Sequence, residues 1–133
     1  MEIQDIEGIG EVYAERLGIF GITTVDDLLA MGGTPKGREK IAAATGLTEN
    51  QILEWVNRAD LYRIRGIGAE YADLLEAAGV DSVEELAQRN AVNLADKLQA
   101  VNAQKRKVRA IPGIAYIGEW ILQARSMPKA VEY

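Results

Sequence analysis

The feature that most constrains this chain is the repetition of its first half in its second half. When residues 6–29 are aligned with residues 64–87, ten of the 24 aligned pairs are identical and no gap is needed. A second match, at an offset of 65 residues, relates the segment around Trp55 to the segment around Trp120. Because both matches occur in the same order, the chain is a duplicated unit of about 60 residues.

Apolar residues recur at helical spacing inside each unit. Tyr13, Leu17 and Phe20 are spaced i, i+4 and i+7, and residues 71, 75 and 78 repeat this stripe. Gly21 and Gly79 follow at the position where a glycine ends a helix. No alternation with the period of a β-strand is present, so the sequence predicts an all-α fold of short helices.

Further helix starts are marked by polar caps. Thr24 with Asp27 forms a capping box, and Ser82 with Glu85 forms the equivalent one in the second half. Thr34-Pro35 and Thr48 begin two more helices, and the second of these carries Trp55. The stripe of residues 94, 98, 101 and 108 predicts a long helix that reaches residue 110. The two tryptophans lie on apolar stripes, which predicts that they pack in the core.

The amino-acid composition excludes most of the common catalytic groups. The 133 residues contain no Cys and no His, which excludes disulfides, thiolate or imidazole metal ligands, cysteine nucleophiles and His-based triads. We therefore predict a chain that is not an enzyme and needs no metal or cofactor. Uncharged stretches such as residues 17–25 are far too short to cross a bilayer, so we expect a soluble, cytoplasmic protein without a membrane partner.

Charge is distributed unequally along the chain. The net charge is -5, which weakens non-specific attraction to polyanions. Residues 1–61 contain 5 Lys and Arg against 11 Asp and Glu, whereas residues 62–133 contain 10 against 9. If a polyanion binds, the sequence predicts that the second half binds it.

The sharpest local motif is Gly-Ile-Gly between two helices, and it occurs twice. We call residues 6–10 the first hairpin and residues 64–68 the second hairpin. Paired glycines allow positive φ angles and close backbone approach, and the N-terminus of the next helix offers free amides to an anion. This pattern resembles the helix-hairpin-helix motif. Each whole unit resembles the N-terminal helix-hairpin-helix domains of archaeal recombinases, and the whole chain is similar to an uncharacterised bacterial family of helix-hairpin-helix-like domains.

The resemblance implies that hairpin amides bind the DNA backbone without reading its sequence, sometimes with a monovalent cation on hairpin carbonyls. The implied phosphate-facing glycines are Gly8, Gly10, Gly66 and Gly68. Acidic residues border the first hairpin, so its glycines are predicted to be structural. The second hairpin has Arg63 and Arg65 beside it, and the one basic cluster of the chain is formed by Lys105, Arg106, Lys107 and Arg109. These six cations with Gly66 and Gly68 are the predicted nucleic-acid site.

Three alternatives stand beside this interpretation. The basic cluster is also typical of a solvated helix face. The hairpin glycines are also typical of a tight connection between two helices. The chain can instead be a protein-interaction adaptor whose acidic first half faces a basic partner. An enzymatic hypothesis follows from DNA glycosylases, which join this hairpin to a catalytic Asp. Asp81 is the nearest candidate, but the chain is too short for the base pocket that such an enzyme needs.

We predict that the two halves, residues 1–61 and 62–126, are pseudo-symmetric and close into one compact domain, followed by a tail of residues 127–133. No helix precedes the first hairpin, so the helix of Trp120 is expected to pack on it, as the helix of Trp55 would pack on the second hairpin. The tail is expected to run past residues 1–5 and to cover apolar surface with Val131 or Tyr133.

Overall fold

The chain is helical apart from its turns. The computed structural model describes residues 1–133, and it contains a single 3-10 turn, Ile3–Asp5, and eight α-helices. The helices are α1 (Glu11–Ile19), α2 (Val25–Gly32), α3 (Pro35–Thr45), α4 (Glu49–Leu61), α5 (Ala69–Ala77), α6 (Val83–Ala87), α7 (Ala91–Lys105) and α8 (Ile114–Ser126). The predicted all-α class is confirmed.

The helices are divided between two compact units. The first unit comprises residues 1–60 and 129–133, and the second comprises residues 61–128. Each unit has a hairpin followed by a short helix, and the sequence repeat therefore pairs α1 with α5, α2 with α6, α3 with α7 and α4 with α8. Closure of both halves into one domain stays a prediction.

Local side-chain hydrogen bonds start most of these helices. The hydroxyl of Thr24 accepts from the amide of Asp27 at 3.0 Å, and the Asp27 carboxylate accepts from the amide of Thr24 at 3.1 Å, which confirms the predicted capping box. Thr34 and Ser82 cap α3 and α6 by accepting one bond each, from the amides of Gly37 and Glu85. The predicted capping box of Ser82 with Glu85 is only half formed, since the Glu85 carboxylate accepts from Arg89 instead. After α1 and α5, Gly21 and Gly79 adopt φ angles of 95° and 91°, which L side chains rarely adopt.

Each unit encloses its own apolar core. In the first unit Leu17, Leu28, Ile41 and Ile52 are fully buried, one from each of the four helices. In the second unit a continuous cluster of 16 buried residues draws on every helix from α5 to α8. The leucines of the stripes inferred from the sequence are buried, whereas Tyr13 is 38% exposed and Val108 lies beyond the end of α7.

The tryptophans join the fourth helix of each unit to the hairpin of the same unit. Trp55 packs on Tyr13 with ring centroids 5.7 Å apart, and its Nε1 lies 3.5 Å from where a Cβ of Gly8 would stand. In the second unit the indole of Trp120 lies 5.4 Å from the ring of Tyr71. The predicted core placement is confirmed, since the two indoles are 4% and 2% exposed.

The predicted exchange of helices between the halves is wrong. The helix of Trp120 packs on the second hairpin and the helix of Trp55 packs on the first, so each unit completes its own hairpin. The helix that packs on the first hairpin is therefore the fourth helix of its own unit, which approaches the hairpin after the chain has passed through α1 to α3.

The tail also takes a different path from the expected one. Residues 127–128 belong to the second unit, while residues 129–133 join the first unit beside the turn between α2 and α3. The amide of Glu132 donates to the carbonyl of Gly33 at 2.7 Å, and the buried guanidinium of Arg38 donates to the carbonyl of Glu132 at 2.6 Å. Val131 is 3% exposed and Tyr133 is 58% exposed, so only Val131 of these two tail residues is buried.

Acid should weaken the cap of α2. Hydrogen bonds from the backbone N–H of Thr23, and then from that of Thr24, hold the pKa of Asp27 below its ordinary value of 3.8. The charged carboxylate therefore contributes stability at neutral pH, and this contribution is lost as pH falls through the lowered pKa. We expect Asp27→Asn to destabilise the protein at neutral pH, and the difference from the wild type to shrink between about pH 5 and about pH 2. Urea unfolding followed by circular dichroism measures this difference, and a constant difference would contradict the assignment.

The two hairpin glycines should differ in their tolerance of a side chain. Gly8 and Gly66 have φ angles of 96° and 99°, so alanine at either position should cost at least about 1–2 kcal/mol. A Cβ on Gly66 would also stand 2.8 Å from Nε1 of Trp120, so Gly66→Ala should be the more destabilising. Gly68 has a negative φ and open space around it, and Gly68→Ala should cost less than about 1 kcal/mol. Equal losses in urea unfolding for all three variants would contradict this account.

Candidate nucleic-acid interface

The second hairpin is a tight turn anchored by two isoleucines. Ile64 and Ile67 are buried, and the amide of Ile67 donates to the carbonyl of Ile64 at 3.2 Å. Gly66 between them is exposed at the surface. The first hairpin repeats this arrangement, with Ile6 and Ile9 buried and an equivalent hydrogen bond of 3.1 Å. The aliphatic side chains thus hold the turn while its glycine backbone faces outward.

Glycine also leaves the next helix without a side-chain cap. Gly10 and Gly68 are the N-cap residues of α1 and α5, and neither helix has a side-chain cap hydrogen bond. The first amides of these helices are therefore left for another acceptor, and the positive end of the helix dipole lies behind them. This is the chemistry that a phosphate oxygen requires from a protein backbone.

Gln123 on α8 fixes the second hairpin by a double hydrogen bond. Its Oε1 accepts from the amide of Arg65 at 2.9 Å, and its Nε2 donates to the carbonyl of Arg65 at 3.2 Å. Sequence reasoning missed this residue, because a polar amide on a helix has no periodic signature. At the matching position the first unit has Arg58, which has donors only and cannot form the same pair.

The two predicted arginines of the hairpin are not equivalent. Arg65 is exposed, so its guanidinium lies at the surface beside the glycines. Arg63 is only partly exposed and donates from Nη2 to the carbonyl of Pro128 at 3.1 Å. The hairpin cation with the better access to a ligand is therefore Arg65.

The basic cluster lies on a loop, which corrects the prediction of a helix that reaches residue 110. The helix α7 ends at Lys105, and Arg106 adopts the left-handed conformation with φ 48° and ψ 49°. Asn102 holds the following turn, because its side chain donates to the carbonyl of Val108 at 2.9 Å and accepts from its amide at 3.0 Å. We call residues 105–109 the basic loop; its four cationic side chains, Lys105, Arg106, Lys107 and Arg109, are all exposed.

The basic loop and the start of α5 border one open groove of about 950 Å³. We call it the basic groove. Arg106, Lys107 and Arg109 line one side, and Glu70 and Tyr71 from the first turn of α5 line the other. Gly68 precedes Glu70 by two residues, so the groove opens next to the uncapped end of α5. Three of the four predicted loop cations are thus gathered beside the first turn of α5, and one carboxylate, Glu70, faces them. The other predicted site residues do not line this groove: Arg63, Arg65, Gly66, Gly68 and Lys105.

The first hairpin has an acidic setting. Glu7 and Glu11 are exposed next to Gly8 and Gly10, and a smaller groove of about 240 Å³ near them is lined by Glu2, Glu11 and Glu15 among others. A phosphate would meet like charges there. Gly8 is required by its φ angle of 96°, since a Cβ on it would make only an ordinary contact, 3.5 Å from Nε1 of Trp55.

The structure contains no arrangement of residues for a metal site or for a membrane-spanning helix. No group of three acidic side chains is placed to hold a metal ion, and no helix combines the length and hydrophobicity needed to cross a membrane. Asp81 is exposed in the turn between α5 and α6.

Comparison with known proteins identifies a family. The family model described as "Domain of unknown function (DUF4332)" matches residues 7–127, which include all eight helices and both hairpins apart from Ile6. No curated protein and no solved structure matches the chain.

Proposed function

We propose that this chain, which belongs to the DUF4332 family of domains of unknown function, is a non-catalytic module that binds the nucleic-acid backbone through its second hairpin and basic loop. The observation that supports the proposal most directly is the basic groove, in which three cations of residues 106–109 lie beside the uncapped first turn of α5. Loop cations and helix amides could then bind neighbouring phosphates. The resemblance to helix-hairpin-helix proteins points to the same backbone chemistry.

The groove favours backbone binding over sequence reading. Direct reading of bases requires a helix or a ribbon that enters the major groove with side chains aimed at base edges. The proposed site instead consists of a turn, a helix end and a loop, and its side chains are chiefly cationic. The affinity should therefore be independent of sequence and strongly dependent on salt.

The contrast between the two units makes the proposal specific for the second one. Glu7 and Glu11 of the first unit are replaced at the matching positions by Arg65 and Ala69. The helix dipole and glycine turn are shared, whereas two negative charges at these positions are replaced by one positive charge. Since phosphate attraction is mainly electrostatic, only the second unit should contribute measurable affinity.

Charge reversal tests the site directly. We expect Arg65→Glu together with Lys107→Glu to abolish binding to plain duplex and single-stranded DNA in fluorescence anisotropy, because two attractive contacts become repulsive. Both side chains are exposed, so helicity by circular dichroism should be unchanged. Glu7→Lys on the first hairpin is the matched control and should not weaken binding. An unaffected double variant would contradict the assignment.

Salt dependence provides an independent measure of the same contacts. With Arg65, Arg106, Lys107 and Arg109 each contacting one phosphate, the logarithm of the duplex affinity should fall with the logarithm of salt concentration at a slope of about -3 to -4. Undetectable affinity even at low salt would exclude nucleic acid and leave a protein partner as the function.

A protein-interaction adaptor is the second candidate, and a specific observation favours it. Val12 and Ile19 on α1 are 62% and 84% exposed, although the second unit has Glu70 and Ala77 at the matching positions. The fold therefore does not require apolar residues there. Glu11 and Glu15 share the exposed side of α1, which would suit a partner segment that is both basic and apolar.

The second unit supplies the substitutions that test this adaptor surface. The double variant Val12→Glu, Ile19→Ala should leave the free energy of unfolding within about 0.5 kcal/mol of the wild type, because both side chains are exposed. It should weaken the binding of a Lys- and Leu-rich amphipathic peptide, measured by calorimetry. Unchanged peptide affinity would contradict the adaptor hypothesis for α1.

A further inference from the structure

The basic groove contains an aromatic ring as well as cations. Tyr71, in the first turn of α5, lines it together with the three cations of residues 106–109. Its side chain is partly exposed, and its ring packs on the indole of Trp120 with centroids 5.4 Å apart and planes tilted by 53°. Because this indole is only 2% exposed, the contact fixes the orientation of the tyrosine ring before a ligand binds.

In the first unit the corresponding ring is covered by a side chain of the protein itself. Tyr13 matches Tyr71, and the guanidinium of Arg16 lies over its ring, 5.9 Å from the centroid. Nη1 of Arg16 also donates to the carbonyl of Thr45, the last residue of α3, at 3.4 Å. Arg16 therefore spans the distance between the tyrosine of the first helix and the end of the third helix, and cation–π attraction favours its position over the ring.

The second unit leaves this place open. The residue that matches Arg16 is Leu74, which is 1% exposed and packs in the core cluster instead. The third helix of this unit, α7, ends at Lys105, and Arg106 then adopts the left-handed conformation, as Gly46 does after α3. The basic groove thus lies between the tyrosine and the end of the third helix, which is where the first unit has Arg16.

The lining of the groove indicates a ligand that has both a planar face and negative charge. The group that covers Tyr13 is planar, and planar groups stack well on aromatic rings. Beside Tyr71 the lining includes Val108 and Ala110, and three cations against the single carboxylate of Glu70 leave the groove positive. A nucleotide combines a planar base with a phosphate. In a duplex each base is covered by its stacked neighbours, so an unpaired strand is needed to offer a base to the ring.

We propose that the basic groove binds single-stranded nucleic acid in preference to duplex, with one unpaired base stacked against Tyr71 and the neighbouring phosphates bound by the three loop cations. This inference rests on the proposed nucleic-acid function and adds the class of strand that the site selects. Proteins that bind single strands without sequence preference use the same combination of a positive groove and an aromatic ring. The ring provides the discrimination, because both kinds of strand supply phosphates.

Three DNA ligands of equal length test the preference: oligo(dT), its duplex with oligo(dA), and a strand with the same phosphates but abasic sites in place of the thymines. At about 0.15 M salt we expect the full chain to bind oligo(dT) at least about fivefold more tightly than either of the others in fluorescence anisotropy, since one stacked base typically contributes this much or more. Equal affinity for oligo(dT) and the abasic strand would overturn this inference and leave backbone binding in place. Failure of all three to bind would overturn the proposed function as well.

Variants at matched positions make the test specific for the ring. Tyr71→Leu should lose the preference for oligo(dT) over the abasic strand, and Tyr71→Phe should retain it because the ring remains. Tyr13→Leu removes the equivalent contact with Trp55 in the first unit, so it serves as the control for lost packing and should keep wild-type affinity for all three ligands. The slope of affinity against salt should be the same for Tyr71→Leu as for the wild type, because the cations are unchanged. A preference that survives in Tyr71→Leu would overturn the proposal.

The stacking contact can also be observed without a substitution. In NMR spectra of the wild-type chain, the ring protons of Tyr71 should shift upfield when oligo(dT) binds, because a stacked base places them in its ring current. The abasic strand should leave them unshifted. Ring protons that respond equally to both strands would assign the binding to phosphates alone and overturn the inference.

Discussion

The contact between an indole and a glycine turn holds each unit of this protein together. Gly8 and Gly66 lack a side chain and adopt φ angles near 100°, and this allows the tryptophan of the fourth helix to reach the hairpin backbone. A tyrosine of the first helix packs on the same indole. The first and last helices of a unit are thereby joined, and the two helices between them are enclosed around a common core. Any other residue would strain the turn at both positions, and at Gly66 it would also take the space of the ring, because a Cβ there would stand 2.8 Å from Nε1 of Trp120.

Local features of the fold were readable from the sequence, whereas long-range ones were not. Caps such as Thr24 with Asp27 depend on residues three positions apart, so the pattern itself records them. The bond from Arg38 to Glu132 spans 94 residues and has no such signal. The end of α7 depends on Asn102 binding Val108, which the apolar stripe could not indicate. The repeat was also compatible with two pairings, in which each tryptophan packs either on the hairpin of its own unit or on that of the other unit. Both pairings treat the two units equivalently, so the repeat alone does not distinguish them.

The sequence predicted the charged residues of the candidate site but not their positions in space. The cations at 105–107 and 109 stand out by composition, but their placement beside α5 depends on where α7 ends and on how its last turn folds back. The duplication then supplies an internal comparison. One backbone arrangement carries carboxylates at the first hairpin and an arginine at the second, so surface chemistry differs while buried isoleucines, glycines and tryptophans are retained. Because the two units share one backbone arrangement, their surface residues can be compared position by position.

The segment that completes the first unit is synthesised after the whole of the second unit. Residues 1–60 emerge early, yet the guanidinium of Arg38 gains one of its two backbone acceptors only when Glu132 arrives, and Val131 fills its place in the core at the same moment. Until then a buried cation lacks part of its hydrogen bonding and apolar surface lies open, both of which disfavour the folded state. Domains usually fold in the order of their synthesis. Here the unit that is synthesised first must wait for residues 129–133, which follow the second unit, before its folding can finish.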